Sequence, residues 1–204
     1  MGEFEQSNQP SSKKGVNKSR WRDCPPARSI LHLPQEGAYR ALLPPSVDAV
    51  LLAVHWSRVD DVLKKAGDLS GKPVITCSLP MNDDNTGLVI GHTSLGAEEL
   101  EKRLPKARVV VAFSTVPSEV LFSVYEAKRK ARRPSLVYCG EDQTGKEVAV
   151  ELIRDARFEP VDAGPLRIAR YTEPFALLVG ELAYGGTAGP ELAYVFERFG
   201  KPER

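Results

Sequence analysis

The sequence predicts an α/β fold: a doubly wound, mostly parallel sheet with helices between its strands. Three observations lead there. Nearly continuous apolar runs recur at residues 47–54 (VDAVLLAV), 73–77 (PVITC), 108–113 (RVVVAF) and 135–139 (SLVYC). Such runs suit strands buried on both faces, the usual condition of a parallel sheet. Amphipathic helical stretches separate them, as a parallel sheet requires to bring each strand back in the same direction. Each run ends in a short polar loop, the region where open α/β sheets gather ligands.

The elements follow in order. Residues 1–18 are rich in Ser, Asn, Gln, Lys and Gly and almost free of apolar side chains. Residues 19–34 are dotted with Arg and Pro, carry one short apolar patch at 30–33, and show no helix or strand period. Residues 1–36 therefore read as a polar, disordered or aberrant N-terminal segment, and 37–204 as the folded domain. Residues 38–43 suit a short helix stopped by Pro44 and Pro45. The strand at 47–54 follows. Ser57 can cap a helix from Arg58 that places Val59, Val62 and Leu63 on one face. Gly67 and Gly71 close that unit, and the strand at 73–77 leads into a polar loop over 78–87. The stretch 97–104 (AEELEKRL) is amphipathic and ends before Pro105. A strand at 108–113, a helix at 118–129, a strand at 135–139, a helix at 144–156, a short strand at 158–161 and an apolar helix at 173–184 complete the pattern.

Composition narrows the function classes. A chain of 204 residues gives one domain with a sizeable core. Its formal net charge of +1 supplies no field to favour nucleic acid or an anionic membrane surface. No apolar run reaches the roughly 18 residues of a membrane span, and the polar start has no apolar signal segment. Cys24, Cys77 and Cys139 are three and far apart, without C-x-x-C or zinc-ligand spacing, so no metal site is expected and the thiols read as those of a reduced, cytoplasmic protein.

Several motifs have a plain reading that outweighs the chemical one. Gly140-Glu141-Asp142-Gln143-Thr144-Gly145-Lys146 fits G-x-x-x-x-G-K after a strand. Glu147 stands where Ser or Thr should hold magnesium, and Glu141 and Asp142 would repel phosphate. Acids decorating a helix N-terminus explain it better. Asn82 to Gly87 resembles a calcium loop without its closing Glu and reads as a turn. Trp56 suits a core cap as well as a ring contact. His92 is a lone histidine among hydroxyls. Gly185, Gly186 and Gly189 follow a helix and read as its C-terminal turn. The strand-end segments Val54-His55-Trp56, Ser78-Leu79-Pro80, Ser114-Thr115 and Gly140-Glu141-Asp142 are the candidate ligand contacts.

These same residues carry a family resemblance. Ser78-Leu79-Pro80 with Asn82 and Thr86-Gly87-Leu88-Val89-Ile90-Gly91-His92-Thr93-Ser94 resembles the T-N-P … D-G-T-G-L-V-x-G-H-x-T-S loop of NADPH-dependent deazaflavin (coenzyme F-420) reductases. VLLAVHW at 50–56 is similar to their V-x-L-A-V-P-W, and VVVAFSTV at 109–116 to their V-V-K-A-F-N-T-V. EPVDAGPLRIARY at 159–171, with Glu173-Pro174, Ala176-Leu177-Leu178 and Ala183-Tyr184, is similar to their C-terminal segment. The likeness spans about 47–184. It implies a Rossmann-like fold and hydride transfer between NADPH and a deazaflavin or flavin-like acceptor. The resemblance places Val54, His55, Trp56, Ser78, Leu79, Pro80, Ala112, Phe113, Ser114 and Thr115 along the NADP site. It places Gly91, His92, Thr93, Ser94, Gly164, Pro165 and Leu166 nearer the second substrate. It implies no catalytic acid or base, since the cofactors carry the chemistry. It also implies a homodimer formed through the helix at 173–184.

This chain departs from that pattern at named positions. His55 stands where Pro is usual, Ser78-Leu79 replaces Thr-Asn, and Ser114 replaces Asn. Residues 1–45 contain no first strand with G-x-G-x-x-G, the loop whose amides hold a pyrophosphate, so the N-terminal βαβ unit reads as incomplete. A truncated, non-catalytic domain acting as an interaction module is the alternative expectation.

Overall fold

The computed structural model describes residues 30–32, 48–90, 94–127 and 132–200. The sheet has six strands: β1 (Ile30–His32), β2 (Ala49–Leu52), β3 (Pro73–Thr76), β4 (Arg108–Val111), β5 (Ser135–Gly140) and β6 (Glu159–Asp162). The helices are α1 (Val59–Ala66), α2 (Gly96–Arg103), α3 (Ser118–Glu126), α4 (Gln143–Asp155) and α5 (Ala169–Tyr184). The strands lie side by side in chain order. β1 to β4 are mutually parallel, β5 runs antiparallel to β4, and β6 is parallel to β5.

The mostly parallel α/β architecture matches the expectation, with three differences. First, the stretch read as patternless contains β1, which pairs with Ala49, Val50 and Leu51 of β2. Three residues are too few to show a period. Second, β5 is reversed. All six of its residues are buried, so it lacks the half-polar alternation that marks an antiparallel strand with one wet face. Third, Ser57 does not cap a helix. It lies in the 3-10 turn Trp56–Arg58, whose cap is His55. The helix expected at 38–43 lies outside the described residues.

Alternation along the strands sorts two cores. Val50, Leu52, Val74, Val109 and Val111 face one side, against Val59 and Ala66 of α1, Leu100 of α2 and Ala169 of α5. Ala49, Ile75, Val110, Leu136 and Tyr138 face the other, against Val120 of α3, Val148 and Ile153 of α4, and Phe158. Ile75, Leu100, Leu136, Ile153 and Phe158 have no measurable exposure. Each contributes roughly 2 kcal/mol of hydrophobic transfer.

Two polar contacts fix the periphery. Glu173, 2% exposed, accepts from the N–H of Gly96 (3.2 Å) and of Ala97 (3.0 Å), joining α5 to the start of α2. Those amides have no partner within the helix, so a buried carboxylate is a fitting acceptor. The segment 186–200 has no regular structure but is strapped to the sheet. The Ser135 N–H donates to the Tyr194 carbonyl (2.8 Å), the Phe196 N–H donates to Ser135 Oγ (2.8 Å), and the Tyr194 ring meets Phe175 edge-on at 5.1 Å. Among the described residues no helix is long and apolar enough to cross a membrane.

Candidate functional site

Because β2, β3 and β4 are parallel, their carboxyl ends share one edge of the sheet. The chain beyond them stays tied. The Cys77 N–H donates to the Leu52 carbonyl at 3.1 Å, and the Ala112 N–H to the Thr76 carbonyl at 3.0 Å. Ser78 Oγ donates to the Leu52 carbonyl (3.3 Å) and accepts from the Val54 N–H (3.2 Å). The sequence-predicted contacts around this edge therefore divide. Val54, Ser78 and Ala112 have their polar groups engaged in holding the edge together. Pro80 is buried against α2: a side chain at Gly96 would come within 2.9 Å of its ring. Thr115 Oγ1 is bonded to the Tyr194 hydroxyl at 2.6 Å. Trp56 packs on the core under the Arg103 guanidinium, 5.3 Å from the ring centroid, which is the core-cap reading.

Two of the contacts remain open. Among the described residues the buried side-chain polar atoms without a partner are His55 Nε2, Ser114 Oγ and Thr172 Oγ1. The first two lie at the ends of β2 and β4. His55 Nδ1 is occupied by Ser57, 2.8 Å from its Oγ, leaving Nε2 for something else. Ser114 follows Phe113, which holds a left-handed backbone (φ 66°). A bulky residue in that conformation is strained, and such strain persists where the surroundings enforce it. The Tyr194 bond to Thr115 is one such constraint.

Ser114 and Leu79 line a cleft of about 500 Å³, within the range of small-molecule sites. Its other wall was not legible in advance. Ala176, Leu177, Gly180, Glu181 and Tyr184 of α5 form it. The three-to-four-residue spacing was present in the sequence, but only the docking of α5 selects which face meets the sheet edge. Gly185, read as a helix-terminal turn, lines the cleft as well; its N–H still donates to the Glu181 carbonyl (2.9 Å).

The remaining predicted positions sit elsewhere. Gly91, His92 and Thr93 lie outside the described residues. Ser94 Oγ donates to the Glu99 carboxylate at the start of α2. Gly164, Pro165 and Leu166 follow β6, and the reversal of β5 carries this part of the chain toward the start of β4: the Gly140 N–H donates to the Gly164 carbonyl (3.1 Å), and the Leu166 N–H to Glu141 Oε1 (3.2 Å). The same reversal removes Gly140-Glu141-Asp142 from the ligand edge, a correction to the strand-end reading. Asp142 caps α4 by accepting from the Gly145 N–H (2.7 Å) and lies 3.5 Å from Arg108 at the start of β4. This is the acid-decorated helix start, not a phosphate loop. The Asn82 to Gly87 segment is a turn closed by its own side chains, with Asn82 Oδ1 accepting from the N–H of Thr86 (2.9 Å) and Gly87 (3.0 Å). Burial pushes the Cys77 and Cys139 thiols up to about 11, away from nucleophilic roles.

The strand-end loops, the cleft and the order of elements can be set against known proteins. No family model matches the chain. The fold is Rossmann-like. A crystal structure assigned as an F-420-dependent NADP-reductase from an Arthrobacter species superposes with a TM-score of 0.65 at 20% identity, over 74% of this chain and 70% of that one. A hypothetical protein from Sinorhizobium meliloti gives a TM-score of 0.56 at 23% identity, over 74% and 68%. In sequence, the chain is 26% identical to Metalloreductase STEAP3 of Rattus norvegicus over 132 residues, 65% of this chain. It spans about a quarter of that curated relative's length, 25%.

Proposed function

We propose that the protein is an NADP(H)-linked oxidoreductase that passes a hydride between NADPH and a flavin-like or deazaflavin acceptor. The observation that carries this reading is the pair of unpartnered buried atoms, His55 Nε2 and Ser114 Oγ, at the carboxyl ends of parallel strands. Buried polar groups left without partners are costly, and a ligand is what satisfies them in such a sheet. The likeness to the Arthrobacter structure and to the rat metalloreductase supports it.

The residues present fit the ring-bearing half of the cofactor. Ser114 and Leu79 would meet a ring in the cleft, with His55 and Trp56 at the neighbouring strand end. The described residues include no glycine turn after a parallel strand to take the pyrophosphate. NADPH supplies the hydride when bound. This chain's residues orient the ring, wall off water with Leu79, Val116 and Leu177, and hold the edge rigid through Ser78 and Thr115. Gly91, His92, Thr93 and Ser94 are proposed for the acceptor side, as are Gly164, Pro165 and Leu166. Titration calorimetry with NADPH on the full chain tests the reading. Saturable binding, followed by acceptor-dependent oxidation of NADPH, is expected; no detectable heat at millimolar cofactor would reject it.

A further inference from the structure

The chain itself fixes the hydrogen-bonding sense of His55. The Ser57 backbone N–H donates to His55 Nδ1 at 3.3 Å, and Ser57 Oγ lies 2.8 Å from the same atom. A backbone N–H can only donate, so Nδ1 presents its lone pair and the Ser57 hydroxyl donates to it as well. In the neutral imidazole the proton then sits on Nε2. Through Nδ1 the ring caps the turn Trp56–Arg58, and that cap makes no use of Nε2. The Nε2–H is buried and meets no acceptor. A buried donor left without a partner costs stability, and the local turn gains nothing from it.

Its place on the sheet says what the donor meets. β3 lies between β2 and β4, so the ends of β2 and β4 stand about 10 Å apart along the ligand edge. Ser114, at the β4 end, lines the cleft proposed for the ring. A group that far along the edge falls on what the ring carries, its ribose and phosphates, which are rich in acceptor oxygens. The deazaflavin-reductase pattern has Pro at this position, so the side-chain donor belongs to this chain. We infer that His55 is a specificity-determining residue of the dinucleotide site, donating from Nε2 to an acceptor oxygen on the cofactor's ribose–phosphate arm. Ser57 is the positioning residue that keeps the proton on Nε2. The inference rests on the oxidoreductase reading and adds the residue that recognises the arm of the cofactor.

The tautomer is read first, on the full chain labelled with nitrogen-15. Long-range proton–nitrogen spectra resolve His32, His55 and His92, and His55→Phe identifies the His55 signals by their loss. Nδ1 is expected unprotonated and Nε2 protonated, with the Nε2 resonance moving when NADPH is added. In titration calorimetry His55→Phe should weaken NADPH about five- to tenfold, the worth of one hydrogen bond. His55→Gln, whose amide N–H reaches about as far as Nε2, should recover most of that loss. Ser57→Ala should lose less than His55→Phe, because the backbone N–H still holds Nδ1. The melting temperature of ligand-free His55→Phe should be unchanged or raised, since a buried donor without an acceptor has been removed. A proton on Nδ1, NADPH affinity unchanged in His55→Phe, or a melting temperature that falls in step with affinity in both His55 variants overturns the inference. If wild type binds NADPH and His55→Phe binds it equally, the role of His55 falls and the oxidoreductase reading stands. If wild type does not bind NADPH, both fall.

Discussion

Phe113 turns the chain at the end of β4 with a positive φ. That conformation costs an L-residue roughly 1–2 kcal/mol, so neighbouring contacts must hold it. Tyr194 supplies one through its hydroxyl, which bonds Thr115 from 79 residues away, and burial raises its phenol so that it stays protonated. Tyr194→Phe keeps the ring packing and deletes the bond. It should lower stability by about 1 kcal/mol, read as a shifted urea midpoint at constant slope. It should also weaken any ligand that contacts Ser114, because the loop it steadies carries that hydroxyl. The cysteines give an independent check on burial. With both thiols pushed up to about 11, the buried Cys139 should react with Ellman's reagent at pH 8 only as fast as the protein opens, and the half-buried Cys77 more slowly than a free thiol. Rapid modification of either in the native protein would show that the core around β3 and β5 is looser than described.

Glu173 joins two elements, and its removal acts on both. Glu173→Ala leaves the Gly96 and Ala97 amides buried without an acceptor. The expected loss is about 2–4 kcal/mol, with α2 and α5 losing amide-exchange protection together. Burial raises the Glu173 carboxyl, and the two amide bonds only partly offset it. The folded state therefore binds this proton more tightly than the unfolded chain. The contribution is full below the ordinary glutamate value and fades as pH rises through the raised folded one. Relative to Glu173→Gln, wild-type stability should fall as pH rises from the ordinary glutamate value through the raised folded one; a flat difference would show that the amides balance the burial. Legibility in the sequence also divides by element. β2, β3 and β4 were readable because they are buried on both faces and run unbroken. β5 had the same signature, yet its direction depends on a return through α3 that no local period encodes. At the site, Leu79 and Ser114 could be picked out as strand-end residues. Glu181 and Tyr184 could not, because their role comes from how Glu173 seats α5 rather than from a motif of their own.

At the scale of the molecule, one face of α5 has no cover. Tyr171 (70% exposed), Leu178 (54%) and Leu182 (63%) are spaced seven and four residues apart and form a stripe, while Thr172, Ala176, Val179 and Ala183 turn inward. The stripe continues over Phe175 to Phe196, itself 56% exposed, with the two rings 6.3 Å apart. Contiguous apolar surface of this kind is uncommon on a monomer and is normally buried in an assembly. We propose that two copies pair through it about a two-fold axis, each α5 stripe facing its counterpart, as an isologous interface requires. Sedimentation equilibrium should then give twice the monomer mass at micromolar concentration. Leu178→Asp should shift the protein to monomer, because the new carboxylate would be desolvated against its own copy. The same helix contributes the α5 wall of the cleft from its opposite side. Separating the subunits should therefore weaken NADPH binding without touching a lining residue. A wild-type protein that sediments as a monomer at every concentration would remove the pairing. Binding unchanged in a monomeric Leu178→Asp would show that each cleft is complete within one chain.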